Sequence, residues 1–163
     1  MSDNAVRFLG DSVLSLDANL ALGDFTIVIV GVSTKPDEAF HMIMGPGPLN
    51  QQIRYNNSNQ ILLVGPNHAS PVSIFDPGDN KTPHYFTLDG QGSSWSLFWN
   101  GTFDDTEIAA VGTWQLGSIG AWFGQHFLVA DLAEIIIYDA SLPAPDRDDL
   151  HCYIADRYAL PLP

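Results

Sequence analysis

The sequence predicts an all-β sandwich that ends in one short helix. Short runs of β-branched and aromatic residues alternate with clusters of Gly, Pro, Asn and Asp, a pattern typical of all-β folds. Only one segment, close to the C-terminus, carries apolar residues at helical spacing. The chain has 163 residues, of which 45% are hydrophobic, so we expect one domain with a packed core over residues 1–163.

The strands are predicted from these runs, and polar turn signals separate them. Asn100-Gly101 directly follows a strand and is the strongest signal for a tight hairpin. The predicted strands are Val6–Phe8, Val13–Leu16, Phe25–Val32, His41–Met44, Gln52–Tyr55, Gln60–Val64, Val72–Phe75, His84–Leu88, Ser94–Trp99, Ile108–Val111 and Leu128–Tyr138.

Two predicted strands carry apolar residues on both faces, Phe25–Val32 and the segment Ala133–Tyr138. An antiparallel strand with one solvated face would alternate, so both strands must be covered on two sides. A helix that starts near Pro145 could supply part of that cover, and a partner chain is the alternative. The residues that this helix places on one face are Leu150, Tyr153, Ile154 and Tyr158.

The charge of the chain excludes several classes of partner. The net charge is −13, from 19 acidic and 6 basic residues. This charge repels phosphate backbones and acidic membrane surfaces, so we expect no nucleic-acid binding. No apolar stretch is long enough to span a bilayer, so we expect no membrane insertion. The N-terminus has no basic start followed by an apolar run, which predicts synthesis in the cytosol without a signal peptide.

Three blocks of sequence anchor both ends and the middle of the chain. The blocks are Val6–Leu16 with Gly23–Ile27; Leu97–Gly101; and Ala133–Asp139 with Leu142, Tyr153, Ile154 and Arg157–Leu160. In this order they resemble the opening strands, the "NG" hairpin and the closing segment of the laminin-G-like jelly-roll domains in the concanavalin A-like lectin/glucanase superfamily. The resemblance implies a two-sheet antiparallel jelly-roll sandwich, with the first and last strands close together and with Glu134 and Tyr138 as framework positions. It leaves function open, because this fold is used by lectins, glycan-cleaving enzymes and structural modules.

Catalysis is not predicted. Glycan hydrolysis needs two carboxylates that flank one bond. Asp105 and Glu107 are the nearest candidate pair, but they follow the hairpin and lack a third spaced acid with aromatic neighbours. Asp131 and Glu134 flank the closing strand, where Glu134 belongs to the framework pattern. We therefore predict that the chain is not an enzyme and has no catalytic residues.

No metal or other cofactor is predicted. Some members of this fold bind calcium through loop carboxylates and backbone oxygens, so calcium stays an open alternative without a specific motif. The aspartates in predicted turns match no calcium loop: Asp76, Asp79, Asp89, Asp104 and Asp105. The histidines stand singly and form no pair at a zinc-ligand spacing.

Glycan binding is predicted from aromatic residues, because the apolar C–H face of a sugar stacks on a flat ring. Trp114 and Trp122 flank the glycine-rich segment Gly117–Gly124 and are predicted to lie in loops, and His84-Tyr85 is a weaker addition. Trp95 and Trp99 share one strand face with Leu97 and are assigned to the core. The alternative is that all four tryptophans fill the sandwich.

The leading functional hypothesis is a non-catalytic module for surface recognition and assembly. In its most specific form it is a phage virion accessory protein, a head decoration or tail component at the virion surface. The doubly apolar strands and the Leu160–Pro163 tail would suit docking on a protein partner or a homo-oligomer. The second hypothesis is a free-standing or excised lectin domain that binds a surface glycan, and the third is a glycan-cleaving enzyme.

Overall fold

The structure, a computed structural model, describes residues 5–34, 41–46, 51–55, 61–64, 73–75, 81–108, 113–121 and 126–162. Within these residues the chain forms two six-stranded sheets and one helix, which confirms the predicted fold class. The elements are β1 (Val6–Leu9), β2 (Leu14–Leu22), β3 (Phe25–Ser33), β4 (His41–Pro46), β5 (Gln52–Tyr55), β6 (Ile61–Val64), β7 (Ser73–Phe75), β8 (His84–Gln91), β9 (Ser94–Trp99), β10 (Thr102–Ile108), β11 (Trp114–Ile119), β12 (Val129–Tyr138) and α1 (Ala144–Tyr158).

Helix α1 packs on the outer face of one of the two sheets. The helix-covered sheet has the strand order β1-β12-β3-β8-β9-β10, and the second sheet has the order β2-β11-β4-β5-β6-β7. Neighbouring strands pair antiparallel in both sheets. The first strand pairs with the last, with Val6 opposite Leu132 and Leu9 opposite Val129. The terminal strands therefore lie together, as the resemblance implied.

The strands that are apolar on both faces contribute to two hydrophobic cores. Ile27 and Ile29 of β3 point into the core between the sheets. Val28 and Val30 point outward, into a smaller core with Leu150 and Ile154 of α1 that Ile136 of β12 also joins. The chain's own helix thus supplies the cover that the sequence required for Ile136, whereas Tyr138 remains 40% exposed.

Helix α1 begins next to the predicted start, with Pro145 in its first turn. Leu150, Ile154 and Tyr158 of its predicted face pack against the sheet, as expected. The predicted contact Tyr153 is wrong: it is 45% exposed, and Arg157 Nη1 donates to its hydroxyl at 2.9 Å. His151 lies against the sheet instead, since its Nε2 meets the Thr87 hydroxyl at 3.0 Å. The buried face is Leu150, His151, Ile154 and Ala155. No helix in the described residues is long and apolar enough to cross a membrane.

The Asn100-Gly101 hairpin is confirmed. Both residues have positive φ, 48° and 79°, and Trp99 pairs directly with Thr102 across the turn. Asn100 also accepts a hydrogen bond from the backbone N–H of Tyr85 at 3.0 Å through its side-chain oxygen. The side chain therefore joins the turn to the adjacent strand β8.

Two strands near the middle of the chain depart from the prediction. Strand β10 starts directly after the hairpin at Thr102 and ends at Ile108, so it begins earlier than the predicted strand Ile108–Val111. Residues 109–112 of that prediction lie outside the described part. Strand β11 was not predicted. Its register shifts between Leu116 and Ser118, which interrupts the alternation that would mark a strand in the sequence.

Candidate functional site

Trp114, a predicted glycan contact, lies in the core. The expectation that it lies in a loop is wrong, because it begins β11 and is 1% exposed. Its ring centroid is 5.5 Å from that of Phe25 and 4.6 Å from that of Trp95. In this position the ring presents no face to a sugar, and the alternative, that tryptophans fill the sandwich, holds for Trp95 and Trp114. Trp122 lies outside the described residues.

His84 and Tyr85 are also buried, on opposite faces of β8. His84 Nε2 lies 2.9 Å from the Tyr55 hydroxyl, and its ring stacks on Trp99 with centroids 4.2 Å apart. Tyr85 lies under α1, where its ring centroid is 5.7 Å from that of His151. The structure therefore does not bring these two rings and Trp114 together on one exposed surface.

The acidic residues considered for metal binding and catalysis are dispersed. Asp89 belongs to β8 and Asp104 to β10, so neither lies in the turn that was predicted for it. Asp76 and Asp79 lie outside the described residues, as do the side chains of the candidate catalytic pair Asp105 and Glu107. The described part of the chain contains no group of three or more His, Cys, Asp or Glu residues placed to hold a metal ion.

A row of polar residues crosses the outer face of the helix-covered sheet, beside the start of α1. The strand register aligns five residues on five neighbouring strands, and directly paired residues project to the same face. We call this set the polar row: Tyr138, Thr26, Asp89, Ser96 and Thr106. Asp89 occupies its centre.

Hydrogen bonds tie the polar row to the segment that leads into α1. The Thr26 hydroxyl donates to Asp89 Oδ1 at 2.8 Å and accepts from the backbone N–H of Leu142 at 2.9 Å. The Ser141 hydroxyl donates to Asp89 Oδ2 at 3.1 Å. These bonds fix the orientation of the carboxylate before any ligand arrives.

Arg147 of α1 reaches over the sheet toward the same carboxylate. Its Nη1 is 3.5 Å from Asp89 Oδ2, and the two side chains are 15% and 12% exposed. The guanidinium carbon lies 4.2 Å from the centroid of the Phe98 ring. Arg147 Nε is buried and has no hydrogen-bond partner among the described residues. A buried donor without a partner is costly, so a ligand group that reached this N–H would relieve that cost.

These side chains line a pocket of about 430 Å³ that opens to solvent, which we call the polar pocket. Its other lining residues are Gln91, Ser141 and the chain from Leu142 to Ala144. Burial lowers the pKa of His151, which packs beneath, to about 4, and the charge of Arg147 contributes. His151 is therefore neutral at pH 7, and Arg147 is the cation of the site.

An exposed aromatic ring lies beyond the polar pocket on the same face. Phe103 of β10 is 55% exposed, and its ring meets Phe98 edge-on with centroids 5.6 Å apart. Ser96 and Thr106 lie between the pocket and the outer edge of the sheet, and their hydroxyl oxygens are 2.8 Å apart. The face thus combines an acceptor, donors and an apolar ring, which together suit a ligand rich in hydroxyl groups.

A larger pocket of about 490 Å³ lies at the other end of α1, walled mainly by Val30, Pro83, Leu160 and Pro161. Two of its polar side chains, Arg157 and Tyr158, already form hydrogen bonds. Arg157 Nε donates to the Tyr158 hydroxyl at 3.2 Å, and that hydroxyl donates to Glu134 at 2.9 Å. These bonds hold the C-terminal turn of the helix on β12, in agreement with Glu134 as a framework position. We therefore assign the candidate site to the polar pocket.

The structure resembles solved carbohydrate-recognition domains over almost its whole length. It matches the CBM40 module of a Ruminococcus gnavus sialidase, solved with α2,3-sialyllactose, with a TM-score of 0.64 and 13% identity over 93% of this chain and 96% of that one. It matches domain 4 of the Geobacillus stearothermophilus arabinanase AbnA, solved with arabinotriose, with a TM-score of 0.65 and 13% identity over 90% and 76% of the two chains.

The same fold also occurs as part of an enzyme. A Trypanosoma rangeli sialidase matches with a TM-score of 0.58 and 16% identity, over 91% of this chain but only 28% of the sialidase. No protein-family model and no curated protein matches the sequence. At these identities the likenesses show a shared β-sandwich fold and are consistent with a jelly roll.

Proposed function

We propose that the chain is a non-catalytic carbohydrate-binding module and that the polar pocket holds its ligand. The observation that carries this proposal is the Arg147 guanidinium, whose buried Nε lacks a partner beside the preoriented carboxylate of Asp89. Sugar hydroxyls both donate and accept, so one hydroxyl pair can bind Asp89 and Arg147 together. Likeness to two modules solved with oligosaccharides supports the same ligand class.

Binding without turnover fits the composition of the polar pocket. Glycoside hydrolysis uses two carboxylates, one on each side of the scissile bond. Asp89 is the one carboxylate among the described residues that line the pocket, and both of its oxygens already accept hydrogen bonds. The proposed role of Asp89 is to accept hydrogen bonds from ligand hydroxyl groups.

The test is a glycan array followed by calorimetric titration of the best ligand. Arg147→Met keeps an unbranched side chain over Phe98 but removes the guanidinium donors. Hydrogen bonds to charged groups contribute about 1.5–3 kcal/mol, so we expect affinity to fall by about 10-fold to 150-fold. The matched control is Arg7→Met, since Arg7 is an exposed arginine that pairs with Asp131 on strand β12. Absence of binding to any glycan, or equal affinities of the two variants, would contradict the proposal.

The second candidate function is assembly with a protein partner, of which a phage virion accessory protein is the most specific form. A specific observation favours docking: large apolar side chains are exposed along one edge of the sandwich, where β1 turns into β2. They are Val6 at 52%, Leu9 at 70%, Val13 at 43% and Leu14 at 50%. The solved structures named above do not bear on the virion role, which stays a prediction.

Light scattering separates the two candidates. An assembly module would form discrete oligomers that Leu9→Ser and Leu14→Ser disperse, whereas a free-standing carbohydrate-binding module would stay monomeric. A wild type that is monomeric and binds glycan would contradict the assembly function.

A further inference from the structure

We infer that the site takes an uncharged oligosaccharide, which runs from the polar pocket across β9 to the exposed ring of Phe103. This inference rests on the proposed function, and it adds two properties to it: the ligand carries no negative charge, and it is longer than one sugar. Each property follows from a different set of residues.

The charge of the site argues against an acidic glycan. Arg147 is the cation of the polar pocket, and Asp89 already lies 3.5 Å from its guanidinium. A ligand carboxylate would have to compete with Asp89 for Arg147 and would then face that like charge. The exposed carboxylates Asp146, Asp148 and Asp149 follow on α1, on a chain of net charge −13. A neutral polyol avoids this repulsion, because it can bind the acidic and the basic group at once.

The length of the ligand follows from the register of the polar row. Asp89, Ser96 and Thr106 are directly paired across β8, β9 and β10. Neighbouring strands are about 4.8 Å apart, so this part of the row spans about 10 Å. That distance accommodates more than one sugar ring, and it carries side-chain hydroxyls for the second.

Phe103 supplies the apolar platform at the outer end. It lies opposite Phe98 on the hairpin, and Phe98 in turn lies beneath the Arg147 guanidinium. The aromatic pair therefore connects the polar pocket to the edge strand without a break. A sugar that leaves the pocket can place its C–H face on Phe103 while its hydroxyls meet Ser96 and Thr106.

The test measures affinity for matched ligands and variants. Lactose is compared with α2,3-sialyllactose, which adds one acidic sugar, and arabinose with arabinotriose, within a wider panel of neutral and acidic oligosaccharides. We expect binding to neutral members only, with the oligosaccharide at least about tenfold tighter than its monosaccharide. Phe103→Ala should remove that advantage and leave the monosaccharide affinity unchanged. Tyr153→Ala, which truncates an exposed ring on α1, should leave both affinities unchanged.

The outcomes separate this inference from the proposed function. An acidic glycan that binds as tightly as its neutral counterpart would overturn the inference while carbohydrate binding stands. The same holds if Phe103→Ala, with its fold verified by circular dichroism, binds the oligosaccharide like the wild type. If no glycan of either kind binds, the proposed function fails together with the inference.

Discussion

Acidification should destabilise the fold through one buried histidine. His151 is fully buried between the helix and the sheet, with Nε2 bonded to Thr87 and its ring near Tyr85 and Phe98. Burial is the main reason that its pKa falls from 6.5 to about 4, and the nearby charge of Arg147 adds to the effect. A difference of this size corresponds to about 3 kcal/mol.

The sign of this pH effect depends on whether the folded or the unfolded chain binds the proton. Above pH 6.5 the ring is neutral in both the folded and the unfolded chain, so His151 adds no pH dependence. Between pH 6.5 and 4 the unfolded chain binds a proton that the folded chain excludes, and the free energy of unfolding falls as pH decreases. Below pH 4 both states are protonated, and the full loss of about 3 kcal/mol is present.

The assay is urea unfolding of the wild type and of His151→Gln at pH 7, 6, 5 and 4. Glutamine can keep a hydrogen bond to Thr87 but does not titrate, so the difference between the two proteins isolates the histidine from the carboxylates. We expect the wild type to lose about 3 kcal/mol more than the variant between pH 7 and 4. The control is His126→Asn, an exposed position that should follow the wild type. Parallel pH curves for the wild type and His151→Gln would refute the reasoning.

Three further substitutions probe the fold, each by urea unfolding against the wild type. Trp114→Ala should cost about 3–5 kcal/mol, because it empties the core between Phe25 and Trp95; an unchanged stability would contradict that placement. Ala159→Gly should add up to about 1 kcal/mol, since Ala159 caps α1 with φ 51°, and a loss of stability would argue against this cap. Asn100→Ala should cost about 1–2 kcal/mol, because it removes a hairpin residue with positive φ and its bond to the Tyr85 N–H; a neutral result would contradict both roles.

The sequence was most informative where a local pattern has one physical solution. Asn100-Gly101 predicts its hairpin because the two residues of such a turn need positive φ. The doubly apolar segment Phe25–Val32 predicts a central strand, because only a strand that is covered on both sides can bury both faces. Pro145 and the acidic residues after it marked the start of the helix for the same local reason.

The position of a side chain in the core or at the surface of the assembled fold could not be predicted in the same way. Trp114 precedes a glycine-rich segment, which predicts a loop. The register shift in β11 interrupts the alternation that would otherwise mark this segment as a strand. Tyr153 and His151 flank the same apolar stripe of the helix. His151 is the buried one, and it meets the Thr87 hydroxyl and the rings of Tyr85 and Phe98 on the sheet.

The candidate site was missed for the same reason. The sequence predicts Asp89 in a turn and gives no predicted role to Arg147. Ser96 and Thr106 join Asp89 only through the pairing of three strands. One signal in the sequence does point to Arg147. The chain has only 6 basic residues against 19 acidic ones, so each basic residue is a candidate for a specific role.

The most direct measurement of carbohydrate binding at the polar pocket is a titration of the isotope-labelled protein by nuclear magnetic resonance with the best neutral oligosaccharide from the panel. The Nε–H group of Arg147 gives its own signal, and it should gain a partner when the ligand binds. We predict that this signal shifts together with the backbone amides of Gln91, Ser96 and Phe103. Shifts that instead cluster around Tyr158 at the far end of α1, with the Arg147 signal unmoved, would contradict the assignment of the site.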